Sequence, residues 1–209
     1  MCFSKGFHRT NGILSVLRCN LGDTSLRRNG RAMAVATLNR FKKLVHYVCS
    51  ECASDPAKLG AVKLNKALWL SDLRAFYMLG SPITSARYVK REFGPVPSQI
   101  LPVLRELQRE GVLTVQDADH FGNRKKEFIV HQSATDDFLA PEEKEIVNRT
   151  IEFVTEQHTA ASISEWSHDH IWKAAKDGEE IPHYTVFANP GEITDEEREW
   201  GNMVLDEGR

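Results

Sequence analysis

Apolar residues recur at three- and four-residue intervals between Lys63 and Leu79, at Leu64, Ala67, Leu68, Leu70, Phe76 and Leu79. That spacing predicts an amphipathic helix. Gly80 ends it, because glycine tolerates the left-handed turn that follows a helix. A second stripe, Ile100, Val103, Leu104 and Leu107, predicts a helix opening near Ser98 or Gln99 and stopping at Gly111. Pro102 fits only in its first turn. Upstream, Leu38, Phe41, Leu44, Val45 and Val48 predict a helix over Thr37 to Cys52, with Thr37 as its N-cap. Ala86, Val89 and Phe93 keep a helical interval, so a short helix is expected within Ile83 to Phe93.

Past Gly111 the period changes. Val112 to Gln116 and Glu127 to His131 read as paired strands, with Gly122 to Lys126 as the turn between them. Pro141 opens the next helix, with Glu142 and Glu143 favourable near its positive end. Ser162-Ile163-Ser164-Glu165 has capping-box spacing and starts a helix that brings Trp166, His168 and Trp172. Tyr184 to Phe187 reads as extended, and Thr194 to Glu197 as the cap of a short C-terminal helix. The expected fold is mainly α (α+β): a compact helical domain with a winged-helix-like core and one small β-hairpin. The expected organisation is a leader over residues 1–32, a domain over 33–188 and an acidic tail over 189–209.

The leader carries Lys5, Arg9, Arg18, Arg27, Arg28 and Arg31 against the single acid Asp23. Such a basic segment suits an organelle transit peptide or a nucleic-acid arm. The preferred expectation is plain disorder, or a reading frame extended upstream of true initiation at Met33. Over the whole chain the net charge is −2, so no global basic excess points to nucleic acid. No apolar run reaches membrane-spanning length. The four cysteines, Cys2, Cys19, Cys49 and Cys52, make no disulfide framework, which fits a reduced, cytosolic compartment. Cys49 and Cys52 form a CxxC, but at a helix end, with no preceding strand and no second pair, they read as core residues.

The sequence offers little catalytic chemistry. It has no phosphate-binding glycine loop, no GxSxG and no HExxH. His168-Asp169-His170 is the best metal candidate, but two imidazoles at i and i+2 diverge on a helix, and no third ligand is evident. No metal or other cofactor is therefore expected. Asp72 lies on the apolar side of its helix and needs a partner there, for which Arg87, Arg91 and Lys66 are the candidates.

The ordered pieces Lys63 to Asp72, Gly80 to Thr84, Tyr88-Val89 and Phe93 to Ser98 resemble the Panacea, or SocA-like, domain of bacterial and phage antitoxins. Ser167 to Lys173 is similar to that family's closing Ser-His…Trp element, with Ile171 where the family would place a proline. The resemblance runs from about Leu38 to Phe187. It implies an antitoxin that neutralises a cognate protein toxin by direct binding, without catalysis. The SocA-like branch further implies a proteolytic adaptor that hands its toxin to a cytosolic AAA+ protease. The residues expected either to face the toxin or to lock the helices together are Trp69, Asp72, Arg87, Tyr88, Arg91, Phe93, Trp166, His168 and Trp172, around a structural loop of Gly94, Pro95 and Pro97.

The alternative is a winged-helix DNA-binding regulator. Ser98, Gln99, Arg105 and Arg109 would lie on its recognition helix, with Gln108 beside them. Arg124, Lys125 and Lys126 would sit on its wing. Glu106 and Glu110 on the same helix would oppose phosphate binding.

Overall fold

A helix that is apolar on one stripe covers one surface, but the helix at the centre of this protein is buried nearly all round. The computed structural model describes residues 24–120 and 123–188. Its elements in order are α1 (Thr24–Glu51), α2 (Gly60–Leu79), β1 (Tyr88–Arg91), β2 (Gly94–Pro97), α3 (Ile100–Arg109), β3 (Leu113–His120), β4 (Asn123–Val130), α4 (Pro141–Glu156), α5 (Ala160–Trp166) and α6 (His170–Ala174). Short 3-10 turns cover Pro56–Lys58 and His183–Phe187. Helix α2 is the hub, packed against α1, α4, α5, β2 and β4. Its enclosed positions include Leu64, Ala67, Leu68, Trp69 and Leu70, and also the polar Lys66, Ser71 and Asp72. Phe41, Leu44, Val45 and Val48 of α1 meet it from one side, and Val147, Ile151 and Val154 of α4 from another.

The mainly α, α+β expectation agrees with this architecture, with two small antiparallel hairpins where one was expected. The hairpin β3–β4 follows α3, as the sequence indicates, but its strands extend further, and Arg124, Lys125 and Lys126 are strand residues rather than a turn. The segment read as a short helix is instead β1, paired with β2 so that Tyr88 faces Pro97 and Arg91 faces Gly94. Proline is tolerated there because this is a two-stranded ribbon with an outer edge.

Other boundaries also shift. Helix α1 begins at Thr24, so Thr37 is an interior residue and not its cap, and the end of the supposed leader is helical. Residues 1–23 and the tail from 189 lie outside the described residues, as does the capping box at Thr194. Helix α5 starts at Ala160 and is capped by Thr159, whose hydroxyl accepts from the Ser162 amide at 3.1 Å. The chain then breaks at Ser167, and Asp169 caps α6 by accepting from the Trp172 amide at 2.8 Å. His183–Phe187 is a 3-10 turn, not an extended strand. Pro141 opens α4 as expected, with Glu143 accepting from the Ala140 amide at 2.8 Å.

Candidate functional site

Asp72 is fully buried on α2 and accepts three hydrogen bonds. They come from the Thr84 amide at 2.7 Å, the Thr84 hydroxyl at 2.6 Å and the Tyr88 hydroxyl at 2.7 Å. The expected cationic partners lie elsewhere: Arg87 pairs with Glu180 and Arg91 with Asp177. Burial pushes the Asp72 carboxyl up to about 6, while the three donors oppose that rise by favouring the charged form. Burial and the neighbouring Asp72 charge together push the Tyr88 phenol well above its usual range. The carboxylate thus ties the loop after α2 to the start of β1 and sets where the β1–β2 hairpin leaves the core.

Lys66, nearly two turns earlier on the same helix, is only 1% exposed. No acceptor lies within hydrogen-bond distance of its Nζ among the described residues. Burial alone pushes its ammonium down to about 7. Its end lies against Gly94, where φ is +101°, and a β-carbon on Gly94 would overlap both the Lys66 ammonium and the Ser167 hydroxyl. Gly94 is therefore required twice, for backbone conformation and for space. Gly94→Val is expected to cost about 2–4 kcal/mol, read as a lowered denaturation midpoint. An unchanged midpoint would mean that the loop relaxes freely.

On the outer side of the same region Arg91 and Phe93 are exposed, while His168 and Trp172 are half-buried. His168 stacks on Trp172, with ring centroids 3.6 Å apart and planes 9° from parallel. The Trp172 indole donates to the Arg91 carbonyl at 3.1 Å, and the Lys90 ammonium lies 4.2 Å from the Trp172 ring centroid. Burial is the largest influence on His168 and, with the nearby Lys66, lowers its imidazole below the usual value. Phe93, at the hairpin tip, is 55% exposed and lines a cavity of about 420 Å³ with Glu165 and His168. Trp166 is half exposed and turns toward α4, edge-on to Phe153.

The structure therefore splits the nine residues expected at the toxin. Trp69, Asp72 and Tyr88 are core, and they act from behind the surface by fixing α2 and the hairpin. Arg91, Phe93, His168 and Trp172 come together at the hairpin and the α5–α6 corner, with Arg87 just before β1 and Trp166 turned toward α4. Pro95 and Pro97 are buried with Gly94 in β2. Sequence reading missed Thr84 as the partner of Asp72, and it missed Lys90. It also treated Lys66 only as a partner for Asp72, although the clash of Lys66 with any side chain at position 94 explains the glycine.

The remaining candidates have other roles. Asp169 is engaged as a cap, and no group of three or more possible metal ligands occurs among the described residues. Cys49 and Cys52 are both buried free thiols. Burial raises Cys49 far above its usual value and pushes Cys52 up to about 11, so neither is activated as a thiolate. On the DNA-binding alternative, Ser98, Gln99, Arg105 and Arg109 are exposed on and before α3. Their neighbours Glu106 and Glu110 hold Lys42, and the Gln108 side chain accepts from the Val115 amide. Lys126 pairs with Asp117, and Lys125 folds over Gly60 to donate to the Ala57 carbonyl. No helix among the described residues is long and apolar enough to cross a membrane.

A helical hub with a hairpin held against it by buried polar ties defines a small, mainly helical α+β domain. Residues 64–173 match the family described as "Antitoxin SocA-like, Panacea domain", and the chain belongs to it. No curated protein and no solved structure matches the chain.

Proposed function

We propose that this protein is an antitoxin that neutralises a cognate protein toxin by direct binding, using the surface formed by Arg91, Phe93, His168 and Trp172, with Arg87 and Trp166 at its margins. Membership of the SocA-like family over residues 64–173 is the observation that carries the reading. The exposed ring at the hairpin tip, beside a charged rim, supports the placement, since aromatic anchors with a polar surround supply most interface energy. A binding role rather than a catalytic one, and action in the cytosol, go with this reading. So does a second step, delivery of the bound toxin to a AAA+ protease. No specific observation favours the DNA-binding alternative, because most basic groups of its wing are engaged within the protein.

The test is co-expression with the product of the adjacent open reading frame, expected to be toxic alone and harmless with this protein. Arg91→Ala and His168→Ala are expected to shift the unfolding temperature by no more than about 2–4 °C. Both are expected to abolish rescue. Folded variants that still rescue would remove this surface from the proposal, and harmless neighbours would remove the antitoxin reading. Toxin that disappears only when a AAA+ protease is present supports delivery, whereas stable but silent toxin supports sequestration.

A further inference from the structure

A second concavity, of about 770 Å³, lies between the start of α2, strand β4 and the start of α5. Its walls include Ala57, Ala61, Val62, Ala160 and Ala161, so much of its surface is apolar. Its charged lining is of one sign: Lys58, Lys63, Arg124, Lys125 and Lys126, with no Asp or Glu. Two of these cations are neutralised from outside the cleft, Lys58 by Glu156 at 2.9 Å and Lys126 by Asp117 at 2.7 Å. Lys63 and Lys125 differ. Lys63 donates to the Thr155 carbonyl at 3.1 Å and Lys125 to the Ala57 carbonyl, so each hydrogen bond in these pairs ends on a neutral acceptor.

The Lys125 stem passes across Gly60, where an added β-carbon would come within 2.8 Å of Lys125 Cε. Burial, and then the charge of Lys125, push the Lys63 ammonium below its usual value. Glu156, which partly offsets this, is already bonded to Lys58. The site thus holds like charges near one another, and an incoming anion would relieve that repulsion.

The cleft adjoins the cavity at the hairpin tip, with Val62, Ala160 and Ala161 in the walls of both. Taken as one groove, the pair has lysines at one end, small apolar residues in the middle and Phe93 with Glu165 and His168 at the other. A free anion would fill only the first part. A linear segment fills all three.

We infer that this groove docks an extended segment of a partner protein, with acidic side chains at the Lys63–Lys125 end and an apolar or aromatic anchor toward Phe93. The inference deepens the antitoxin reading, because Phe93 and His168 belong to both surfaces, and it is tested without any toxin. The probe is a synthetic peptide with two Asp/Glu residues followed by Leu and Phe, titrated into the isotope-labelled full chain. Expected are amide shifts at Val62, Ala160, Ala161 and Phe93, with affinity that weakens as salt rises. The Asn/Gln counterpart, and the acidic peptide lacking Leu and Phe, are each expected to bind about tenfold more weakly. Lys63→Gln with Lys125→Gln is expected to lose about tenfold, whereas Lys63→Arg with Lys125→Arg keeps the affinity within about twofold.

Equal binding of the uncharged peptide, or an undiminished affinity in the folded double Gln variant, overturns the proposal. So does a duplex DNA or inorganic phosphate that occupies the cleft as tightly with the same lysine dependence. If the peptide binds but no neighbouring gene product is toxic, the groove stands and the antitoxin reading falls. If rescue succeeds without peptide binding, the reverse holds.

Discussion

Lys66→Met is expected to stabilise the protein, by about 2–4 kcal/mol near pH 8. The side chain is enclosed, and no acceptor reaches its Nζ among the described residues. Folding must therefore strip a proton from it or bury an unpaired charge. Methionine keeps the unbranched stem and removes that cost. The same physics fixes a pH dependence. In the unfolded chain the amine keeps its ordinary value of 10.5, and in the folded protein burial lowers it to about 7. Between those values the unfolded state holds a proton that the folded state has shed. Wild-type stability should therefore fall as pH drops from 10.5 toward 7 and level off below that.

The Met variant should lose that slope. Lys66→Arg should do the opposite and destabilise by several kcal/mol, on the order of 3, because guanidinium cannot shed its proton and has no room beside Gly94 and Ser167. Thermal melts across this pH range read all three proteins. A destabilised Met variant would show that the amine makes a contact the fold needs. A stabilised Met variant that no longer rescues from the toxin would show that Lys66 is kept for the partner rather than for the fold.

How much of this was legible in the sequence depends on the kind of residue. The helical stripes of α1, α2 and α3 were visible because each has an apolar face with a helical period, and the start of α4 was visible from Pro141 and the acids that follow it. Gly80 was visible as the end of α2, and it takes a φ of 77° there. The β1–β2 hairpin was not, because Val89 and Phe93 happen to sit four apart, and what makes the segment a strand is remote pairing. Lys90 accepts from Gly178 and donates to Glu179 through its backbone, and Tyr88 accepts from Ile181. No local pattern carries that information.

Lys66 was misjudged for a related reason. A periodic reading puts it two residues from Leu64 and Leu68, off the stripe, which left it only as a partner for Asp72. It is buried because α2 is surrounded, and only the tertiary packing of α5 and β2 closes that face. For the candidate site, the residues that bear charge or rings were named correctly as polar or aromatic, but their depth was not. Trp69 and Trp166 look alike in sequence, yet one is 4% exposed and the other 51%. The lysine cleft was scattered in the sequence across the start of α2 and the middle of β4, and the wing analogy directed Lys125 and Lys126 toward DNA instead.

Asp72→Ala should be the most damaging change at the heart of the fold, costing about 3–5 kcal/mol. It leaves the Thr84 amide, the Thr84 hydroxyl and the Tyr88 hydroxyl without their shared acceptor in a site closed to solvent. Asp72→Asn is milder, about 1–2 kcal/mol, since its carbonyl still accepts from the Thr84 amide while the hydroxyls must reorient to meet an NH2 group. The pH signature separates the two effects. The carboxyl titrates at 3.8 when unfolded and at about 6 when folded. Between those values the folded state holds the extra proton, so this group makes stability fall as pH rises from 3.8 to 6, with no further change above. Asn at this position should erase that window while leaving the alkaline slope from Lys66 intact. The functional consequence follows from where the ties run. Thr84 and Tyr88 anchor the hairpin that carries Arg91 and Phe93, so Asp72→Ala should raise amide exchange across Tyr88 to Pro97 before it does so in α4. Uniform protection in that hairpin, with the protein still folded, would mean that the pairing with β2 and with Glu179 holds the strand without the carboxylate.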